Sequence, residues 1–194
     1  MEIGATKAVQ DRLKTTKIEE SKGASLVFCW DTHLTKIKGR NVLFIVNASN
    51  RYTIVMTDIE PRNWNYYTMY IRSVIHGVMQ EMGYSEDQIG QYFKMSGDTT
   101  VTKTHGRKSV GGINRMVMDA QYFGKKLEKE AKYQWELSEY LNRDICQPEG
   151  FDAYGYPSEL LLQYMERLGI VAKRKPAKII DFTKYIDTNR STNH

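Results

Sequence analysis

The sequence predicts an α+β domain: an antiparallel sheet of about four to five strands, packed by two long helices and followed by a helical C-terminal extension. Three observations carry that prediction. Valine, isoleucine, phenylalanine and tyrosine crowd into short runs between residues 26 and 59, punctuated by turn residues. Apolar residues then recur at helical spacing over 63–82 and again over 109–141. Past Asn142 glycine and proline break the pattern before a last compact helical segment. With 194 residues, 41% hydrophobic and 26% charged, the chain can bury a substantial core. We divide it into a core domain, 1–141, and an extension, 142–194.

The elements follow in order. Glu2 to Ala5 reads as a short strand, and Thr6 caps a helix with Val9 and Leu13 on one face. KTTKIEESKGAS is polar and charged, hence a loop. SLVFCWDTHLTKI, NVLFIVNA and RYTIVMTDI read as strands, with turns at KGRN and at Asn47 to Asn50. Their short connections predict an antiparallel meander. In VLFIV both faces are apolar, so that strand is expected to be covered on both sides. Tyr67, Ile71, Val74, Ile75, Val78 and Met82 share one helical face, with Asn63 as N-cap and Gly83 as the stop. A shorter helix starts at Ser85 and runs from Glu86 to Phe93, and GDTTVTKT reads as a further strand. The second long helix starts near Ser109, with Ile113, Met116, Val117, Ala120, Phe123 and Leu127 as its buried stripe. Lys125, Lys129 and Lys132, mixed with Glu128 and Glu130, read as a solvated face. SELLLQYMERLG closes as a helix stopped by Gly169, and a basic loop containing Lys173, Arg174 and Lys175 follows.

Composition narrows the function classes. Thirteen Tyr and three Trp argue against disorder. A net charge of +5 and a pI near 9.0 permit a polyanionic partner. Cys29 and Cys146 are too few for a disulfide framework, and Cys29 reads as a buried reduced thiol. The opening residues lack a secretory pattern, and no apolar run approaches the roughly 20 residues needed to cross a bilayer. The expectation is a cytoplasmic protein with no membrane contact.

The densest chemical signal is THGRKSVGGIN, residues 104–114. A helix start leaves backbone N–H groups without intrahelical partners and carries partial positive charge. Gly111 and Gly112 would admit a ligand close to the backbone. Lys103, His105, Arg107, Lys108, Ser109, Asn114 and Arg115 would add donors, together forming an anion site. The competing structural reading has Ser109 capping the helix while the glycines relieve crowding against the sheet. The GxxxxGK[ST] spacing of a phosphate loop is missing, so no nucleotide cofactor is expected.

A second cluster lies in CWDTHLTK. On a strand, Asp31 and His33 share a face and could ligate a metal or form an acid–base pair, with Trp30 on the opposite face; the favoured alternative is a histidine hydrogen-bonded to the surrounding structure. With no HExxH or cysteine pair in the sequence, no metal is expected. Asn47 is expected to hydrogen-bond its own turn. His76 reads as a packed or partly exposed helical residue.

Three stretches, EIGATKAVQDRL, WDTHLTKIKGRNVLFIVNASNRYTIVM and GRKSVGGINRMVMDAQYF, together resemble an uncharacterised bacterial domain family met in plasmid, phage and chromosomal proteins. Trp30, Arg40, Asn47, Arg107, Ser109, Gly112 and Asn114 match that family's pattern. The resemblance spans about residues 1–125, departs at Ser49-Asn50, and leaves the region after Gln134 as an addition. It implies a shared fold and draws attention to Arg107, Ser109 and Asn114, but it implies no activity. Two functional readings follow. One is a binding module for nucleic acid or a phosphorylated small molecule, centred on 103–115. The alternative is a protein-interaction or structural module of a mobile element, whose extension docks a partner or a second copy. A metal-independent nuclease built from His33, His105, Arg107 and Lys103 is a third.

Overall fold

A computed structural model describes residues 1–15 and 18–173. The predicted strands form one five-stranded sheet of order β4-β3-β2-β1-β5. They are β1 (Glu2–Ala5), β2 (Cys29–Ile37), β3 (Arg40–Asn47), β4 (Thr53–Thr57) and β5 (Thr100–Thr102). The meander β2-β3-β4 is antiparallel, as its short connections require. The sheet as a whole is mixed, correcting the antiparallel expectation. β1 runs parallel to both β2 and β5. Long connections make this possible: α1 (Lys7–Leu13) and a loop return the chain to β2, and three helices separate β4 from β5. Between β2 and β3 the chain reverses at Lys38-Gly39, both with positive φ, as a two-residue hairpin demands.

β3 is covered on both faces, as VLFIV requires. Leu43 and Ile45 enter one core cluster, and Val42, Phe44 and Val46 enter the other. The first cluster is roofed by α1, α3 (Tyr67–Glu81), α4 (Glu86–Ser96) and α7 (Pro157–Arg167), which supply Val9, Ile71, Ile75, Ile89, Tyr92 and Met165 among others. The second is roofed by α5 (Gly106–Gln121) and α6 (Trp135–Asn142), through Ile113, Met116, Leu137 and Leu141. Helices therefore sandwich the sheet.

Both long helices are shorter than their apolar stripes suggest. In the first, Pro61 at the N1 position starts a separate turn, α2 (Pro61–Asn65), with Glu60 as N-cap; Asn63 sits inside that turn instead of capping α3. Gly83 does stop α3, at φ 87°, and Ser85 caps α4 through a reciprocal box with Gln88. In the second, α5 begins at Gly106 and ends at Gln121, and the chain is non-helical until Trp135. Phe123 and Leu127 remain buried there, so the stripe continues while the helix does not.

That non-helical stretch instead covers the open edge of β4. The Thr57 N–H donates to Lys132 O at 2.8 Å and Gln134 N–H to Val55 O at 2.9 Å. Deeper along the same edge, α6 offers side chains: Ser138 Oγ accepts from Val55 N, and Asn142 exchanges two hydrogen bonds with the Thr53 backbone. A bare sheet edge is a template for aggregation, and here Thr53, Val55 and Thr57 are all engaged along it. Arg40 fastens the stretch further, through Asp58 and the carbonyls of Glu128 and Lys129.

α7 supplies Leu161 and Met165 to the first cluster, and Gly169 ends it at φ 72°. Of the basic run, Lys173 is exposed, while Arg174 and Lys175, with the IIDFTKYI segment, lie outside the described residues. Among the described residues no helix is long and apolar enough to cross a membrane.

Candidate functional site

Strand alternation builds the site. Ile3 and Ala5 point into the first core cluster, so Glu2 and Gly4 on β1 face the opposite way, under α5. On β2, Trp30 joins the first cluster, which turns Cys29 and Asp31 to the α5 side. The parallel register places Glu2 beside Cys29 and Gly4 beside Asp31. Three residues after β5, His105 occupies the N-cap position of α5 and lowers its ring onto Gly4. A Cβ at Gly4 would lie 1.8 Å from Asp31 Oδ1 and 3.0 Å from His105 Nδ1. Only glycine leaves room for the pair.

The result is a chain of hydrogen bonds in which His105 bridges two carboxylates. Its Nδ1–H donates to Asp31 Oδ1 at 2.6 Å and its Nε2–H to Glu2 Oε2 at 2.9 Å. The backbone N–H of His105 reaches both Asp31 oxygens at 3.2 Å. The Ser109 hydroxyl donates to Asp31 Oδ2, and the Lys22 N–H to Glu2 Oε1. Asp31 is fully buried, and Glu2, His105 and Ser109 are each less than a tenth exposed.

Burial disfavours the charged imidazolium, yet hydrogen bonds and charge from Asp31 and Cys29 outweigh it and push the His105 pKa up to about 11. Burial likewise works against the Glu2 carboxylate, but hydrogen bonds from Ser21, His105 and the Lys22 N–H hold its pKa below the ordinary value. His105 is therefore a cation clamped between two anions at neutral pH.

An anion does sit at the start of α5, and it belongs to the chain: the carboxylate of Asp31. His105 and Ser109 face inward to it. Gly106, the first residue of α5, adopts φ 92°, a conformation that glycine takes without strain. Its N–H is bonded to Thr104 O. Gly112 is buried against the Arg51 guanidinium, whose Nε lies 2.7 Å from where a Cβ would stand, whereas Gly111 is exposed. Beside Ser109, a cavity of about 20 Å³ lined by Asn47, Arg51, Lys108 and Glu149 has room for about one water.

The remaining predicted residues divide between surface and core. Arg107, Lys108 and Asn114 are exposed. Lys103 pairs with Glu20, and Arg115 with Asp119 at 2.8 Å. Trp30 lies in the opposite core, where its Nε1–H donates to the Tyr92 hydroxyl at 2.9 Å. Asn47 does bond its own turn, accepting from the Ser49 and Asn50 N–H groups while donating to Val27 O. His76 is partly exposed and meets Glu86. The Asp31–His33 pair is not formed: His33 Nδ1 meets Thr6 Oγ1 at 3.1 Å, and burial lowers its pKa. His33 turns to Thr6, and Asp31 is taken by His105 arriving from above. Both ring nitrogens of His105 are hydrogen-bonded inside the protein. Glu2, Gly4 and Arg51 are not legible as site residues in the sequence, and Cys29 reads there only as a buried thiol; the alternation Glu2/Gly4 and Cys29/Asp31 is the available signal.

Two outcomes test this geometry. Gly4→Ala forces the Asp31–His105 pair apart and is expected to cost about 1–3 kcal/mol of stability in urea unfolding; a neutral result would refute the close approach. A folded-state pKa raised from 6.5 to about 11 contributes stability that is complete below pH 6.5 and is lost as pH rises through 11. In metal-free buffer, unfolding free energy should therefore decline across that interval, and His105→Gln should flatten the decline.

No curated protein and no solved structure matches the chain. A family model described as a domain of unknown function, DUF6933, matches residues 2–160, a span that contains the whole network from Glu2 to Ser109. The chain belongs to that family.

Proposed function

We propose that this domain binds a polyanion, nucleic acid in preference to a small phosphorylated ligand, along the outward face of α5. One observation carries the reading. Between 107 and 122 the exposed positions of α5 and its C-cap are Arg107, Lys108, Gly111, Asn114, Arg115, Met118, Gln121 and Tyr122, with no exposed carboxylate among them. Lys108, Gly111, Arg115, Met118 and Tyr122 repeat at intervals of three and four, one continuous stripe.

The neighbouring surface supports the same reading. Two shallow clefts that share Tyr140 and Arg143 lie beside α6, one of about 250 Å³ against α5 and one of about 390 Å³ against the following stretch at Phe123 and Lys125. Tyr122, Tyr140 and Trp135 are exposed beside them. Aromatic faces interleaved with cations suit stacked bases and a phosphate backbone. The cations of the clefts are paired on the surface, Arg115 with Asp119 at 2.8 Å, Lys125 with Glu136 at 2.7 Å and Arg143 with Glu139 at 3.1 Å. Such exposed pairs are worth little and exchange readily for phosphate. An open, elongated face fits an extended strand better than it fits a small molecule, which prefers an enclosed pocket. A cytoplasmic setting and carriage by mobile elements belong to the same reading.

Fluorescence anisotropy with labelled single-stranded DNA and RNA, across a salt series, tests it. Affinity should fall linearly on a log–log plot with salt, and each of Arg107→Ala and Lys108→Ala should reduce the slope by about 0.7. Absence of binding at low salt, or a slope unmoved by the double substitution, would end the proposal.

A second reading has its own observation. Ile145, Tyr154 and Tyr156 are exposed around the Cys146–Gly155 bridge, in the stretch assigned to the extension. Apolar groups gathered in one loop suit a second copy of the chain or a protein partner. Sedimentation should then give a mass that rises with concentration and falls back on Ile145→Asp; a constant monomer mass would dismiss it.

A further inference from the structure

Beneath α5 the network gathers three kinds of metal-ligating atom. One ligand atom each from Glu2, Cys29 and His105 lies within 4.8 Å of the other two, and all three residues are buried. Cys29 brings a thiol with long contacts to two carbonyls, Ala24 O at 3.7 Å and Ser25 O at 3.5 Å, and a side-chain hydrogen bond with His105. His105 brings an imidazole already oriented by a carboxylate, Nδ1 to Asp31 Oδ1 at 2.6 Å. We propose that Glu2, Cys29 and His105 form a binding site for a divalent cation of zinc-like preference, with Asp31 as the positioning residue of His105.

The geometry favours this assignment over a purely structural ion network. A metal-bound histidine uses one ring nitrogen for the metal and gives the other N–H to a carboxylate, which sets its tautomer and tilt. Asp31 stands in that second position and is itself held by Ser109 and the His105 N–H. The nitrogen left over, Nε2, is the one that meets Glu2. Tetrahedral zinc bonds of about 2.0–2.3 Å place ligand atoms roughly 3.3–3.6 Å apart, so modest side-chain rotation closes the set. A mixed sulfur, nitrogen and oxygen set selects zinc or its cobalt surrogate over magnesium and calcium, which require oxygen.

Charge balance agrees. In the metal-free network two buried carboxylates face a single imidazolium, an excess of one negative charge. On loading, the divalent ion replaces the Nε2 proton and the Cys29 thiol proton. Two protons leave, two positive charges enter, and the net charge of the pocket stays the same. The ligands come from β1, β2 and the start of α5, so the ion would tie the first strand to the helix more than a hundred residues later. Because α5 closes over the site, loading accompanies folding.

The test uses the full chain, unfolded in denaturant with chelator and refolded with or without Co²⁺ or Zn²⁺. One equivalent of Co²⁺ should produce a thiolate-to-cobalt charge-transfer band and the intense visible bands of a tetrahedral centre. Zn²⁺ should displace them and raise the thermal midpoint. Cys29→Ser should abolish the charge-transfer band, and Cys146→Ser should leave it intact. Asp31→Asn should keep the band while weakening Zn²⁺ affinity by about 10–100-fold. Circular dichroism checks that each variant is folded; should Asp31→Asn fail to fold, the Cys29→Ser spectrum decides. Absence of the band in the parent chain, its survival in Cys29→Ser, or a midpoint indifferent to Zn²⁺ overturns the site.

Discussion

The carboxylate of Asp31 is the point through which the two halves of this fold meet. It sits on β2 with no solvent contact and accepts hydrogen bonds from the backbone and ring of His105 and from the Ser109 hydroxyl. A charge taken that far from water is tolerable only when paired and fully hydrogen-bonded. The position of α5 follows from this requirement, since both of its contributions must arrive in register. Removing one partner of such a pair costs about 3–5 kcal/mol, whereas replacing the whole set by apolar groups can be neutral. Its retention here thus points to what the network specifies or binds. Bulk stability comes from elsewhere.

Around that anchor, apolar packing and edge protection complete the architecture. β3 supports both cores with alternate side chains, Leu43 and Ile45 against Val42, Phe44 and Val46. The stretch from Phe123 to Gln134 gives up helical hydrogen bonds, and Gln134 alone replaces several. Its amide donates to Thr57 Oγ1, Glu128 O and Ala131 O, and its oxygen accepts from Glu128 N. Among the described residues the outward face of α5 is left uncovered by this arrangement. Its inward face is committed to the sheet and to Asp31, and its outward face carries cations over a surface of aromatic rings. The structural role and the proposed recognition role thus fall on opposite sides of one helix, and substitutions on one side can be read without disturbing the other.

The same separation explains why THGRKSVGGIN draws attention in two ways. Its hydrogen-bond donors do meet an anion, but His105 and Ser109 meet one supplied by the chain, while Arg107 and Lys108 turn to solvent. A run of residues in sequence is divided by helical geometry, at 100° per residue, between core and surface.

From sequence by itself came the features that depend on neighbours along the chain. The β-rich run gives β2, β3 and β4, the Asn47 turn closes on itself, Gly83 and Gly169 stop their helices, and Ser85 starts α4. Each is settled by local propensity and a few adjacent hydrogen bonds. Tertiary structure alone decided the rest. Parallel pairing of β1 with β2 and β5 depends on contacts across long crossovers. The end of α5 at Gln121 is set by the need to cover β4, which no local pattern announces, because Phe123 and Leu127 keep the spacing of a helix they do not join. Above all, Glu2, Asp31 and His105 are more than twenty-five residues apart from one another in the chain and become neighbours only when strand register and the missing side chain of Gly4 bring them together. Periodicity shows which face a residue takes; only the folded sheet determines what waits on that face.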